Sequence, residues 1–217
     1  MKTYKQTFSE IKNTALIPFF VIGDPDYDTS LEIVKTAIDA GADIIELGVP
    51  FSDPIADGPT IQNADIRAAK AGMNIHKALQ FIKEIKQYKD IPIGLLMYYN
   101  LIYKYGPDKF FKDFHDAGVN SILIADLNIE TADEIIPQIT ESKLDTVFMV
   151  TPITPVERMK TIAQKTTGFI YTVTLLGVTG SRDSLSEAVQ PMVKKLKKLT
   201  DTPVCVGFGI SKPEHAV

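Results

Sequence analysis

Three carboxylates at and beyond the end of one apolar run are the residues of this sequence best suited to chemistry. Glu46 lies within the apolar residues 43–49, which predict a buried strand, and Asp53 and Asp57 follow in a proline-rich loop. An ionisable side chain inside a strand is costly unless it is paired or has a function. We therefore predict an acid/base site at this strand end.

The surroundings of Glu46 and Asp57 predict different protonation states for the two carboxyls. Glu46 is flanked by isoleucine, leucine and valine, so burial is expected to raise its pKa, which suits a proton donor near neutral pH. The alternative for Glu46 is a buried salt bridge or a cap on backbone amides, although no basic residue lies nearby in the sequence. Asp57, in the loop, is expected to stay ionised more readily than a buried carboxylate.

Two glycine-rich segments follow later strands of the predicted fold. Residues 175–182 (LLGVTGSR) suit a mobile lid or a phosphate-binding turn, but an ordinary loop is equally compatible with them. In residues 207–211 (GFGIS) the glycines would let backbone N–H groups approach an anion, or would only permit a turn. Late loops of barrels commonly bind phosphate, so both segments are candidate phosphate sites.

The composition argues against several classes of protein. The chain has 217 residues with 45% hydrophobic and 23% charged residues and a net charge of −4, and it has no basic stripe for nucleic acid. The lone Cys205 excludes an intrachain disulfide, and no His, Asp or Glu residues have metal-ligand spacing. No apolar run of about 18 residues could cross a membrane. We therefore expect a cytoplasmic protein without metal, nucleic-acid or membrane partners.

Seven continuously apolar runs alternate with helical patterns along the chain. Continuous rather than alternating hydrophobicity is typical of strands covered on both faces, and the alternation with helices predicts parallel βαβ units in one domain, residues 1–217. The predicted strands are residues 16–22, 43–49, 91–98, 121–126, 146–150, 168–174 and 203–207. The predicted helices are residues 4–11, 29–40, 60–71, 75–89, 107–117, 130–142, 155–164 and 186–199.

This order of elements favours an α/β fold of the (β/α)₈ TIM-barrel type. Seven strands are countable, so we expect a barrel that lacks its last β/α unit. A doubly wound open sheet is the alternative architecture. The sequence after the first strand, Gly23-Asp24-Pro25-Asp26, does not match the glycine pattern that this alternative would use to bind a dinucleotide.

One long motif resembles a known family. Residues 46–62, ELGVPFSDPIADGPTIQ, are similar to the signature of the tryptophan synthase alpha chain family. The segments IPFFVIGDP, IPIGLLMYYN, ILIADL, GVTGSR and GFGIS follow in the order of that family, so the resemblance extends from residue 17 to residue 211.

The resemblance implies a TIM-barrel lyase. Its reaction would be the retro-aldol cleavage of indole-3-glycerol phosphate to indole and glyceraldehyde 3-phosphate, without a metal or an organic cofactor in this chain. The partner would be a tryptophan synthase beta chain in an alpha2-beta2 heterotetramer, with pyridoxal phosphate only in the beta chain. Two alternatives stay open: a non-catalytic subunit that activates a partner enzyme, and another TIM-barrel enzyme acting on a sugar phosphate.

The resemblance also assigns roles to individual residues. It implies that Glu46 and Asp57 are the catalytic acids and that Asp53 takes part in communication with the beta chain. The predicted substrate-binding positions are Phe19, Leu96, Tyr98, Leu123 and Tyr171 around the indole, and Thr179, Gly180, Phe208 and Gly209 in the sixth and seventh loops. The family also has a last strand and helix with a phosphate-binding Gly-Ser pair, which have no counterpart here, so we expect phosphate binding to depend on Gly180 and Gly209.

Overall fold

Parallel strands and covering helices make up the computed structural model, which describes residues 1–173 and 189–207. The strands are β1 (Phe19–Val21), β2 (Ile45–Gly48), β3 (Ile93–Met97), β4 (Ser121–Ile124), β5 (Asp145–Thr146), β6 (Phe148–Val150), β7 (Ile170–Val173) and β8 (Val204–Gly207). All pairs are parallel, in the order β1-β2-β3-β4-β5 and β6-β7-β8.

The short strands β5 and β6 are two parts of one predicted strand. They are separated only by Val147, whose N–H still donates a 3.1 Å hydrogen bond to the carbonyl oxygen of Ile122 on β4. The eight short strands therefore occupy seven consecutive positions of a parallel barrel, as the apolar runs predict.

The helices are α1 (Tyr4–Glu10), α2 (Tyr27–Asp39), α3 (Pro59–Lys70), α4 (Ile75–Tyr88), α5 (Tyr99–Tyr105), α6 (Pro107–Ala117), α7 (Ile136–Glu141), α8 (Val156–Lys165) and α9 (Val189–Leu196). Side-chain caps determine several of their ends. Helix α2 begins two residues before its predicted start because the Asp26 carboxylate accepts the N–H of Thr29. Helix α6 ends at Gly118, which adopts the left-handed conformation with φ 108°.

Three helix predictions were wrong in detail. The predicted helix 130–142 divides into a 3-10 helix (Ala132–Glu134) and α7, because Pro137 has no N–H to continue the hydrogen-bond pattern. Helix α5 was missed, since its sequence YNLIYKY is rich in residues that favour strands. The predicted helix 155–164 begins one residue later, at Val156, and Pro155 is its N-cap.

Apolar residues fill two layers. The inner layer lies within the barrel and contains Ile44, Leu123, Val147 and Phe169, together with Tyr4 of α1. The outer layer packs the other face of the strands against the helices. Because side chains alternate across a strand, Glu46 lies on the same inner face as Ile44. None of the helices in the described residues has the length and apolarity needed to cross a membrane.

Candidate active site

Glu46 lies in the middle of β2, inside the barrel, and only 4% of its surface is exposed. Burial raises the pKa of its carboxyl to about 8. Within residues 1–173 and 189–207 no group donates a hydrogen bond to this carboxyl or forms an ion pair with it, so the salt-bridge alternative has no support there. A carboxyl in this state is protonated at neutral pH and available as an acid.

Asp57 lies in the loop between β2 and α3 and is 6% exposed. Its carboxylate Oδ2 accepts a 2.6 Å hydrogen bond from the hydroxyl of Tyr98, which follows β3. Burial raises the pKa of Asp57, while the Tyr98 hydrogen bond lowers it. Asp57 was expected to stay ionised more readily than a buried carboxylate because it lies in a loop. It is itself buried, and the hydrogen bond from the Tyr98 hydroxyl is what favours its ionised form.

The loop that carries Asp57 is held by contacts on both sides. The N–H of Ala56 donates to the Tyr98 hydroxyl at 3.0 Å, and the Gln62 amide donates to the Asp57 carbonyl oxygen at 2.7 Å. The ring of Phe51 stacks on that of Tyr98, with centroids 5.0 Å apart and planes inclined by 26°. Tyr98 is thus fixed by stacking and in turn fixes the Asp57 carboxylate.

The predicted wall of the indole pocket lies on the inner face of the barrel. Leu96, Leu123 and Tyr171 belong to the same inner layer as Ile44. The ring of Phe19 lies directly over Gly48, where an added Cβ would be 2.7 Å from Phe19 Cζ. The structure therefore brings the apolar wall to the strand face that carries Glu46, and contact of these side chains with a substrate stays a prediction.

Not all the predicted site residues can be placed. Asp53 lies on the exposed outer part of the loop, where its carboxylate accepts a hydrogen bond from the hydroxyl of Ser52. The loop residues predicted to bind phosphate lie outside the described residues: Thr179, Gly180, Phe208 and Gly209.

Sequence reasoning missed one carboxyl beside this site. Asp65 on α3 is buried, and burial followed by the negative charge of Asp57 raises its pKa to about 7. The backbone N–H of Phe51 donates to it and acts in the opposite direction. The sequence signal is the spacing of Asp65 with Ala64 and Ala68 in the predicted helix 60–71, which places all three on the face that the structure buries.

The arrangement suits proton transfer. In the part of the chain that the structure describes, no three His, Cys, Asp or Glu side chains come together as metal ligands. A protonated Glu46 and a fixed Asp57 carboxylate border an inner surface of apolar and aromatic residues. Such a site can donate a proton to, and stabilise positive charge on, a flat apolar ring.

Residues 5–217 match the family model described as "Tryptophan synthase alpha chain". The chain belongs to the tryptophan synthase alpha chain family. It is 46% identical over 213 residues to the alpha chain of Methanothermobacter thermautotrophicus, with 98% of this chain and 79% of that one covered. It is 41% identical to the alpha chain of Arabidopsis thaliana, with 97% and 78% covered.

Solved structures agree with this membership. A chain from the tryptophan synthase α2β2 complex of Pyrococcus furiosus is 41% identical, with a TM-score of 0.87 and with 94% of this chain and 82% of that one covered. A chain of Mycobacterium tuberculosis tryptophan synthase is 32% identical, with a TM-score of 0.89 and coverages of 95% and 80%. The fold is therefore that of the alpha-chain TIM barrel, and the open-sheet alternative was wrong.

The activity of the family is a carbon–carbon lyase reaction. Its alpha chains cleave indole-3-glycerol phosphate in tryptophan biosynthesis, and this chain is a lyase of that kind. The alpha chain works without a cofactor of its own, and pyridoxal phosphate belongs to the beta chain.

Proposed function

We propose that Glu46 carries the protons and Asp57 stabilises the positive charge in the cleavage of indole-3-glycerol phosphate. The observation that carries this proposal is the contrast between the two carboxyls. Glu46 is buried with no hydrogen-bond donor among the described residues, whereas Asp57 receives the Tyr98 hydroxyl at 2.6 Å. The first is suited to hold a proton and the second to hold a charge.

The first step is protonation of the ring. Indole is a poor carbon leaving group until its C3 atom accepts a proton, which Glu46 donates. The ring becomes an indoleninium cation, and its N–H donates a hydrogen bond to the Asp57 carboxylate, which stabilises the positive charge. A general acid in this position contributes roughly 10²–10⁴ to the rate.

The second step breaks the carbon–carbon bond. Glu46, now a carboxylate, removes the proton of the hydroxyl on the glycerol carbon attached to C3. The oxygen forms the aldehyde of glyceraldehyde 3-phosphate, and the electron pair of the broken bond returns to the indole ring and neutralises it. Glu46 ends protonated, so it is ready for the next substrate.

The remaining contacts orient the substrate. The flat indole fits against the apolar wall of Phe19, Leu96 and Leu123. The ring of Phe19 and the branched chains of the two leucines leave the indole few alternative orientations. The phosphate end is assigned to the loops that contain Gly180 and Gly209, as the sequence motifs predict. Binding energy at the phosphate holds the reacting atoms in line without taking part in the chemistry.

The partner proposed for this chain is a tryptophan synthase beta chain in an α2β2 assembly, the state named for the Pyrococcus furiosus protein. Three large apolar side chains are exposed on loops or helices that directly follow strands: Ile55 at 77%, Tyr103 at 67% and Ile153 at 68%. Carboxyl ends of barrel strands lie on one face, so these side chains surround the mouth that holds Asp57. A partner seated there would receive apolar indole without exposing it to water.

Indole release from indole-3-glycerol phosphate tests the catalytic proposal. We expect Glu46→Gln and Asp57→Asn each to lower kcat by at least about 10²-fold. The first removes the proton donor, and the second removes the negative charge that stabilises the cation. Asp43→Asn is the matched control, since Asp43 lies just before β2 and its carboxylate accepts the N–H of Leu16 at 2.8 Å. Release that survives both site substitutions would exclude the mechanism.

A further inference from the structure

Tyr4 reaches into the barrel from the end opposite the loops of the active site. It is the first residue of α1, and only 2% of its surface is exposed. Its hydroxyl and the Ser121 hydroxyl are 2.7 Å apart. Its ring meets that of Phe169 edge to face, with centroids 5.6 Å apart. Helix α1 therefore contributes an interior side chain rather than only an outer cover.

Two glycines make the space that this phenol occupies. A Cβ added at Gly94 on β3 would lie 2.8 Å from the Tyr4 hydroxyl oxygen, and one added at Gly168, before β7, would lie 3.2 Å from the ring. The absence of a side chain at these two glycines thus leaves space in the barrel wall for Tyr4. Such a close fit leaves no space for a water molecule between the phenol and the wall.

The hydroxyl marks how far the ring of Tyr4 enters the barrel. Glu46, Gly94 and Ser121 are register partners on three neighbouring strands, so they form one row around the inside of the barrel. The Tyr4 hydroxyl forms a hydrogen bond with one member of that row, Ser121, and occupies the space that a side chain at another member, Gly94, would need. Tyr4 therefore closes the barrel at the level from which the Glu46 side chain projects.

We propose that Tyr4 is a positioning residue for the lyase reaction, because its ring seals the floor of the barrel beneath Glu46 and keeps water from that carboxyl. The expected effect of Tyr4 on the reaction rests on the proposed catalytic role of Glu46. The expected effect of Tyr4 on the protonation of Glu46 does not. Without this seal, water from the open end of the barrel would reach the carboxyl.

The charges around Glu46 make water exclusion the decisive factor. The titratable groups that face it are Tyr4 on α1, Tyr171 on β7 and Cys205 on β8. Burial raises the pKa of both phenols and raises the pKa of the Cys205 thiol to about 12, so all three are neutral at pH 7. Asp145 faces Tyr4 from β5. None of these groups supplies a positive charge, so among residues 1–173 and 189–207 burial is the one influence that keeps Glu46 protonated.

The N-terminal segment is held in place by bonds to the floor of the barrel. The Asn120 amide donates to the Lys2 carbonyl oxygen at 2.8 Å, and the N–H of Lys2 donates to the Asp90 carboxylate at 3.0 Å. Thr3 and Gln6 form a reciprocal capping box at the start of α1. These contacts fix the point from which Tyr4 enters the barrel.

A graded series at position 4 tests the seal. Tyr4→Phe keeps the ring, Tyr4→Leu replaces the ring by a shorter apolar side chain, and Tyr4→Ala removes the side chain beyond Cβ. The direct measurement is the titration of the Glu46 side chain by ¹³C NMR of the substrate-free protein. We expect Tyr4→Phe to leave the midpoint in place and Tyr4→Ala to lower it by about one pH unit or more, with Tyr4→Leu between them.

Activity gives the second measurement. The alkaline limb of kcat/KM for indole release is expected to move to lower pH in parallel with the Glu46 midpoint. Phe8→Ala is the matched control, because Phe8 lies on α1 against the same inner layer but its ring is 6.2 Å from that of Tyr4 and outside the space left by the two glycines. It is expected to lower the melting temperature without moving the limb.

The outcomes separate the two proposals. A Glu46 midpoint that stays within about 0.3 pH units of the wild-type value in folded Tyr4→Ala would overturn the seal, and Tyr4→Leu decides by the same criterion if the alanine variant does not fold. A midpoint that moves while the activity profile does not would support the seal and contradict the catalytic role of Glu46.

Discussion

The Tyr98 hydroxyl donates a 2.6 Å hydrogen bond to Asp57 Oδ2 and accepts one of 3.0 Å from the N–H of Ala56. It therefore joins the loop after β2 to the end of β3 at the carboxylate that is expected to face the indole nitrogen. Hydrogen bonding to the carboxylate favours its ionised form and opposes the effect of burial.

Removing this hydroxyl should weaken the reaction in a pH-dependent way. In Tyr98→Phe the Asp57 pKa should rise further, since the bond that lowers it is lost, and the acid limb of kcat/KM should move up by about one pH unit. We expect kcat near neutral pH to fall about 10-fold, because hydrogen bonds to charged groups contribute about 1.5–3 kcal/mol. Tyr103→Phe on the exposed side of α5 is the control. An acid limb in its wild-type place would show that the phenol does not tune Asp57.

The sequence was sufficient to predict the strands because each is a continuous apolar run. Helix ends were less accessible, since they depend on single contacts such as the cap that Asp26 gives to Thr29. Only Tyr98 separates β3 from helix α5, so strand propensity extended the predicted strand through Tyr98 and gave no helix. Pro137 divided the predicted helix 130–142 because one missing N–H outweighs the surrounding helical pattern.

The candidate site was only partly predictable for a related reason. The burial of Glu46 follows from its immediate neighbours, which are visible in the sequence. That of Asp57 depends on Tyr98, 41 residues away, and on the stacking of Phe51. Tyr4 contacts Ser121 across 117 residues. Contacts of this range are set by the closure of the barrel, which a local pattern does not encode.

The buried acid at position 46 should cost stability at high pH. The ordinary pKa of 4.5 is raised to about 8 in the folded protein, so the folded state binds the extra proton between these values. The stabilisation is complete below pH 4.5 and is lost as the pH rises through about 8. Glu46→Gln removes this dependence. We take the free energy of unfolding of Glu46→Gln minus that of wild type. This difference is expected to be about 1–3 kcal/mol more positive at pH 9 than at pH 5.

Urea unfolding of both proteins at a series of pH values measures this difference. Asp65, whose pKa is also raised by burial, acts in both proteins and cancels in the comparison. Asp43→Asn, just before β2, is again the matched substitution of a carboxylate by an amide. A difference between Glu46→Gln and wild type that is constant with pH would contradict the raised pKa.

The contact of Phe19 with Gly48 predicts a steric effect on the pocket wall. A Cβ at Gly48 would lie 2.7 Å from Phe19 Cζ and 3.1 Å from Cε2, so Gly48→Ala must displace the ring. We expect a loss of about 1–3 kcal/mol in stability, as is usual for overpacking, and a higher KM for indole-3-glycerol phosphate.

A double-mutant cycle identifies the cause of that effect. Adding Phe19→Leu to Gly48→Ala should recover part of the lost stability, because the smaller side chain makes space for the new methyl group. Losses that are simply additive would indicate that the two residues are not coupled and that the alanine acts elsewhere on β2.

The exposed apolar side chains at the barrel mouth predict where the partner binds. Ile153 follows β6 and is 68% exposed, so a charge placed there should be harmless to the isolated chain but costly in an interface. For Ile153→Asp we expect at least about 10-fold weaker binding to the cognate tryptophan synthase beta chain by titration calorimetry, with unchanged indole release by the chain alone. Ile33→Asp is the control, because Ile33 is exposed on α2 at the side of the barrel. Equal losses of affinity in both variants would contradict docking at the mouth, since only a general effect of the added charge would then explain them.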